Sequence, residues 1–459
     1  MTQSKRGPFI FLLTLLLLTV SQAAPYADKV VAQDGSGDYT TITAALNALP
    51  MYTYRRTVIY IKEGIYREKL RIEPHYVTLR GQSRDKTIIR YNQPRPAWQA
   101  HPDPIGPAMI NIRGDDCVLE SLTIENIQQD TGIHAFSVYG EATRTVIVNC
   151  NVLSQGGDTV SLWEYKNGMY YHANCRFQGA VDFVCPRGWC FIRDSSFQVT
   201  RKTAVLWHDG HFNKDQKFVL SNCTFTGDMP YELGRHHYEA QFYLLDCRFS
   251  ETLLDKPIYL VTYDDPSRNN PYLWGDRTYY FNCHRNGGDF AWFADNLDLA
   301  DGSPTPEQIR PAWTFGGHWD PESKAPPKIT QTNVDEESVF LTFNEPVTVR
   351  GTVVLETTSG KKLTLVSRRF TDIPTLEFYT ESPLTLRDLR QSFKLTQGQI
   401  LASVATVQER LVGSVLPLPV HVSWRNCLNQ PKEWYGSDKA IRIADNVLLY
   451  QRDTKGSCS

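Results

Sequence analysis

Between residues 122 and 249 the apolar positions fall in short runs with no long helical period. Arg144-Thr-Val-Ile-Val148 and Lys217-Phe-Val-Leu220 are typical: rich in Val, Ile, Phe, Thr and Tyr, and bounded by Gly, Asn or Asp. Such runs predict strands joined by turns. A second pattern lies over the first, in which a small polar residue precedes Cys, any residue, then an apolar one. It reads Asn149-Cys150-Asn-Val152, Asn174-Cys175-Arg-Phe177, Asn222-Cys223-Thr-Phe225 and Asp246-Cys247-Arg-Phe249, and Leu122-Thr-Ile124 and Ser195-Ser-Phe197 fit the same slot. The slot therefore recurs at 122, 150, 175, 195, 223 and 247, with gaps of 28, 25, 20, 28 and 24. A period in this range marks a solenoid. With strands as its units, the expected fold is all-β, a right-handed parallel β-helix in which each coil buries its inward side chains against the next, ~4.8 Å away.

The pattern changes after residue 320. Three prolines between Pro321 and Lys328 predict a linker over 321–328. From 329 to 420 alternation returns in Val339-Phe-Leu-Thr-Phe343, Thr352-Val-Val-Leu355, Leu363-Thr-Leu-Val366 and Leu376-Glu-Phe-Tyr379, which predicts a small immunoglobulin-like β-sandwich. No catalytic constellation is visible in it, and a spacer or carbohydrate-contacting module is the expected role. In 421–459, Ala440, Ile441, Ile443, Ala444, Val447 and Leu448 recur at helical spacing behind Ser437-Asp438, an incomplete helical segment. At the other end, Lys5 and Arg6 precede an apolar run from Phe9 to Val20, and small residues follow around Ala23. Residues 1–23 read as a signal peptide, too short to span a bilayer, so the protein is expected to be secreted or periplasmic and free of the membrane after cleavage.

Composition adds limits. A formal net charge of -2 across 459 residues gives no general attraction for nucleic acid. Export permits disulfides, yet most of the 10 Cys occupy the repeating slot and read as buried packing residues. Cys185-Pro-Arg-Gly-Trp-Cys190 is the exception, where a disulfide stays open; no spacing for a metal site accompanies it.

The candidate chemistry follows from phase. Asp158 of Gly157-Asp158-Thr159 lies eight residues after Cys150, and Asp182 of Val181-Asp182-Phe183 lies seven after Cys175. Stacked coils make the two carboxylates neighbours, and neighbouring carboxylates cannot share one pKa, which suits acid/base work. A lone aspartate in such a turn is more often structural; two in phase favour catalysis.

Several motifs in order resemble the pectin methylesterases of carbohydrate esterase family 8 over residues 26 to 300. Asp34-Gly-Ser-Gly-Asp-Tyr-Thr-Thr-Ile42, Ile61-Lys-Glu-Gly-Ile-Tyr-Arg-Glu68 and Thr78-Leu-Arg-Gly81 are similar to its amino-terminal motifs. Gly157-Asp158-Thr159, Val181-Asp182-Phe183-Val184 and Leu233-Gly234-Arg235 are similar to its Gln-Asp-Thr, Asp-Phe-Ile-Phe-Gly and Leu-Gly-Arg-Pro-Trp motifs. The resemblance implies that residues 26–320 are an esterase domain. In it Asp182 is the nucleophile, Asp158 the general acid/base, and Arg235 the cation that steadies Asp182. It also implies a monomer acting on pectin or a pectic oligosaccharide without metal or organic cofactor. The string Trp434-Tyr-Gly-Ser-Asp-Lys-Ala resembles the opening helix of the family 10 pectate lyases, and the chain ends soon after it.

The departures from the motifs are as informative. Two family glutamines that donate to the oxyanion are replaced, one within His134-Ala-Phe-Ser-Val138 and the other by Gly157. Each lost donor is worth on the order of 10²- to 10³-fold in rate. His134 is therefore expected to supply one N–H, and Arg187 or a backbone amide the other, with a structural histidine nearly as good a reading. His236-His237 stands where the family has Pro-Trp. Sugar contacts are accordingly sought at His237, Arg187, Trp163 and Trp189, with Trp207 and the His208-Asp-Gly-His211 loop as further candidates. Two other readings stay open: a non-catalytic β-helix that binds acidic polysaccharide, and a β-helix pectate lyase.

Overall fold

A computed structural model describes residues 27–50, 56–208 and 213–322 and, with short gaps, 327–402, together with 415–416 and 422–423. The expected signal peptide and lyase-like segment lie outside the described residues. Three parallel sheets account for residues 29–285, and each coil contributes one strand to each in turn. The first sheet holds ten strands from Lys29–Val31 to Thr278–Phe281, the second nine from Gly64–Tyr66 to His284–Arg285, and the third eight from Leu70–Ile72 to Tyr259–Leu260. This is the expected parallel β-helix.

The repeating slot is the corner between the first and second sheets. The residue before each slot position adopts a left-handed backbone: Ser121, Asn149, Asn174, Asp194, Asn222, Asp246 and Asn282 all have φ between 49° and 56°. Asn and Asp tolerate this region best after Gly, which explains the polar residue. Their side chains also link coil to coil. Asn149 Nδ2 donates to Ser121 Oγ at 3.0 Å, Asn174 Nδ2 to Asn149 Oδ1 at 3.0 Å, and Asn222 Nδ2 to Asp194 Oδ1 at 2.6 Å. The next residue turns inward, so Cys150, Cys175, Cys223 and Cys247 are buried as expected. Cys283 extends the column by one coil, hidden in the sequence because a long loop stretches the gap from 247 to 283, which is 36. Two positions further, Phe177, Phe197, Phe225 and Phe249 stack through the core with centroids 5.3, 4.4 and 5.3 Å apart.

The amino-terminal motifs close the first coil. Helix Ile42–Asn47 is capped by Thr41, and the Glu68 carboxylate accepts from the backbone N–H groups of Ile42 and Thr43 at 2.9 and 2.8 Å. That places a carboxylate on the open N–H groups of a helix start. Toward the other end, Leu297, Ala300, Ile309 and Phe315 cover the outer face of the first sheet, against Val146, Tyr171, Phe191 and Tyr243. Trp313 stands edge-on to Tyr243, at 5.1 Å. Glu322 takes a hydrogen bond from Arg193 Nη1 at 2.9 Å and one from Tyr171, so the expected linker begins anchored on the helix.

The second unit is, among the described residues, a mostly antiparallel sheet of seven strands around its own apolar core, with Ile329–Asp335 and Val422–Ser423 pairing in parallel, consistent with a small β-sandwich. Two strands expected at 339–343 and 352–355 are one strand, Ser338–Glu356, which exchanges partners through register shifts and passes Gly351 at φ 72°. Left-handed glycine lets the chain bend without ending the strand.

The Phe stack gives a test of the packing. Phe197 is fully buried between two rings, and Phe197→Ala should destabilise the chain by about 3–5 kcal/mol. Denaturant unfolding measures this, and a loss below about 1 kcal/mol contradicts the packing described.

Candidate active site on the third sheet

The corner that enters the third sheet repeats the same device. Asp158 and Asp182 take φ values of 58° and 49°, each just before a strand of that sheet, Val160–Leu162 and Val184–Pro186. Those strands pair Val160 with Val184, and the Asp158 and Asp182 N–H groups donate to the carbonyls of Val181 and Ala204, each one coil onward, at 3.0 and 2.8 Å. Thr159 and Phe183, the next residues, are fully buried, so the aspartate side chains leave the core on the outer face. The expected neighbouring carboxylates are thus one coil apart.

Each has its own cation. Arg235, on Glu232–His236, holds Asp182 with two parallel bonds, Nε to Oδ1 at 3.0 Å and Nη2 to Oδ2 at 2.6 Å. Its guanidinium lies 4.9 Å from the centre of the Trp207 ring. Burial nonetheless pushes the Asp182 carboxyl up to about 6: Arg235 pulls it down, and the charge on Asp158 adds to the rise. Asp158 Oδ2 instead meets His134 Nδ1 at 2.8 Å and Arg95 Nη1 at 3.6 Å. The hydrogen bond to Asp158 raises the His134 pKa above its ordinary value, against the opposing effect of burial.

This narrows the N–H donor role expected for His134 to its other ring nitrogen, Nε2. Its Nδ1 is engaged by Asp158, so that atom is not an oxyanion donor. Arg187 stacks on Trp163, 3.8 Å from the ring centre, and the two leave the ends of adjacent strands of the third sheet. Trp163 also packs with Phe136 and Tyr139. His237 stands edge-on to Trp207 at 4.4 Å and its Nε2 pairs with the Tyr263 hydroxyl at 2.6 Å, which brings it beside Arg235. Trp189 is placed elsewhere. It lies on the first sheet, in the strand Trp189–Arg193, packs against that sheet's outer cluster, and donates Nε1–H to the Asp215 carbonyl at 3.0 Å. No disulfide joins Cys185 to Cys190, which occupy strands of different sheets. Residues 209–211 of the candidate loop lie outside the described residues. Among the described residues no group of three or more His, Cys, Asp or Glu is placed to hold a metal ion.

Arg95 is the site residue that the sequence reading lacks. It begins the six-residue helix Arg95–Ala100, its N–H donates to the His134 carbonyl at 2.8 Å, and its guanidinium lies 5.3 Å from the Phe136 ring.

Two carboxylates with separate cations, on the outer face of a parallel β-helix, are the geometry to compare with known proteins. The segment of residues 28–244 matches the pectinesterase family model. A probable pectinesterase/pectinesterase inhibitor of Arabidopsis thaliana is 30% identical over 276 residues, 57% of this chain and 47% of that protein. The chain thus spans about half the length of that relative. Among solved structures, a pectin methylesterase from carrot superposes with a TM-score of 0.52 at 19% identity, covering 64% of this chain and 94% of its own. A pectin methylesterase in complex with a hexasaccharide gives 0.51 at 18%, over 64% and 98%. The structural likenesses show the fold, and both Asp158 and Asp182 fall inside the matched segment.

Arg235 supplies a test of the electrostatics. A nearby opposite charge lowers a carboxyl by about 1–3 pH units. In Arg235→Ala the Asp182 carboxyl, followed by NMR in protein labelled at aspartate carboxyl carbons, should titrate that much higher than its starting value of about 6. An unmoved midpoint contradicts the pairing.

Proposed function

We propose that the protein is a secreted pectinesterase, a carboxylic ester hydrolase that removes methyl groups from galacturonate esters of pectin and releases methanol. The observation that carries this reading is the Asp158 and Asp182 pair with separate cations, inside the segment that matches the pectinesterase model. Asp182 is the nucleophile. The two-pronged Arg235 contact fixes its oxygens and supports the charged form against burial, so reactivity grows as pH rises through about 6. Attack on the ester carbonyl forms a C–O bond and an oxyanion. Collapse expels methoxide, which takes a proton from the Asp158 side of the site, and leaves an anhydride on Asp182. Water then cleaves the anhydride, with the same side taking its proton. Arg187 on Trp163, and His237 on Trp207, line the face on either side with rings and positive charge suited to an acidic sugar chain. A structural neighbour of the same fold was solved with a hexasaccharide, which makes a pectic chain the ligand to test.

The test is to incubate the protein with methyl-esterified homogalacturonan and measure methanol and unsaturated product, for wild type and Asp182→Asn. Methanol from the wild type, abolished by the substitution, is the expected outcome. Ultraviolet-absorbing product would mean a lyase, and binding with neither product a carbohydrate-binding β-helix; either would overturn the reading.

A further inference from the structure

We propose that His134, through Nε2, is the group that gives the proton to the departing methoxide, and that Asp158 is its positioning residue. The proposal rests on the pectinesterase reading above and names the atom that the reading leaves open.

Three observations support it. Asp158 Oδ2 lies 2.8 Å from His134 Nδ1 and 3.6 Å from Arg95 Nη1, so the carboxyl oxygen that faces the ring is already engaged by two basic side chains and is placed to orient the imidazole. The imidazole is the more open partner: its side chain is 40% exposed and that of Asp158 only 11%, so substrate on the outer face meets the ring first. Nε2, on the ring side opposite Asp158, is the atom free of that hydrogen bond. Carboxylate to Nδ1, with Nε2 aimed at the reacting group, is the arrangement by which a carboxylate fixes tautomer and orientation of a histidine acid/base.

The third observation couples the two departures from the motif pattern. His134 and Gly157 form a parallel bridge between adjacent coils. A Cβ on residue 157 would lie 2.7 Å from Val181 Cγ1, 3.0 Å from the Val181 carbonyl oxygen and 3.1 Å from His134 Nδ1. The place of any longer side chain at 157 is therefore crowded by the imidazole and by Val181. The bare backbone at 157 and the ring at 134 are thus sterically coupled, and together they leave the His134 and Asp158 side chains in contact.

The proton balance closes. Imidazolium Nε2–H protonates the methoxide as the C–OCH3 bond breaks, giving methanol and neutral His134. Nε2 then takes a proton from the water that attacks the anhydride, the bond to Asp182 breaks, and both the Asp182 carboxylate and the imidazolium return. The charged groups facing the ring are Asp158, Asp182 and Arg95, the first two favouring the imidazolium and the last opposing it. The activity should then be bell-shaped in pH. Its acid limb comes from Asp182 near about 6, and its alkaline limb from His134 above the ordinary 6.5.

The experiment compares wild type, His134→Gln and Asp158→Asn by the pH dependence of kcat and of kcat/KM on methyl-esterified oligogalacturonide, the kcat/KM limb being the one set against NMR of labelled histidine, which titrates His134 in the free wild type. His134→Gln should lose about 10²- to 10⁴-fold in kcat, the range for a missing acid/base. It should lose the alkaline limb with it, while a nitrophenyl ester, whose leaving group needs no proton, suffers far less. Asp158→Asn should move the alkaline limb to lower pH, a change that a structural role would not produce. The NMR midpoint of His134 should match the wild-type limb. His134→Gln within about threefold of wild type, with the limb retained, overturns the proposal and leaves the esterase reading standing. A mismatch between the NMR midpoint and the limb overturns it too, even if the variant fails to fold. A wild type that releases no methanol overturns the underlying reading instead.

Discussion

The structure depends on one constraint: each coil must lie in register on the last, about 4.8 Å away. A parallel β-helix satisfies its strand hydrogen bonds only between coils, so a residue in a left-handed corner must recur at the same place in each turn. The Ser121 to Asn282 series meets this requirement, and its amide and carboxyl side chains connect along the axis. The same geometry, moved to the corner before the third sheet, carries Asp158 and Asp182. The candidate pair is thus a local variant of the device that shapes the whole domain. Its spacing follows from the sheet and needs no special scaffold.

That spacing forces an electrostatic problem. Two outward carboxylates one coil apart repel, and Asp182 is almost wholly shielded from water. The chain answers with cations from distant places: Arg235 from two coils onward, His134 from the coil before, and Arg95 from a short helix. Because the partners differ, so do the environments. A fixed guanidinium on one carboxylate and a titratable imidazole on the other divide the roles that neighbouring identical groups cannot divide alone.

Much of the fold was legible because the constraint repeats. The Cys slot, its polar neighbour and the in-phase aspartates are periodic, and the structure brings all of them to the expected columns. What was not legible lacks that periodicity. Arg95 precedes Asp158 by 63 positions, from 95 to 158, and sits on a six-residue helix with no apolar pattern to predict it. Trp189 lies away from the site because a corner at Arg187-Gly188 separates it from Asp182, and beyond that corner the chain belongs to the first sheet. Trp163 follows Asp158 at similar spacing yet stays beside the third sheet, since no corner intervenes before it. His134 is legible as part of the site, but its chemical role is not. The contact between Nδ1 and Asp158 fixes which ring nitrogen faces outward, and no linear spacing encodes a ring orientation.

The most direct test of the central claim is a crystal structure of the Asp182→Asn variant with a methyl-esterified hexagalacturonate. The account predicts a methyl-ester carbonyl carbon about 3–3.5 Å from the residue 182 side chain, on the outer face of the third sheet. A sugar chain bound with every ester remote from residue 182, for example along the first sheet near Trp189, would contradict it.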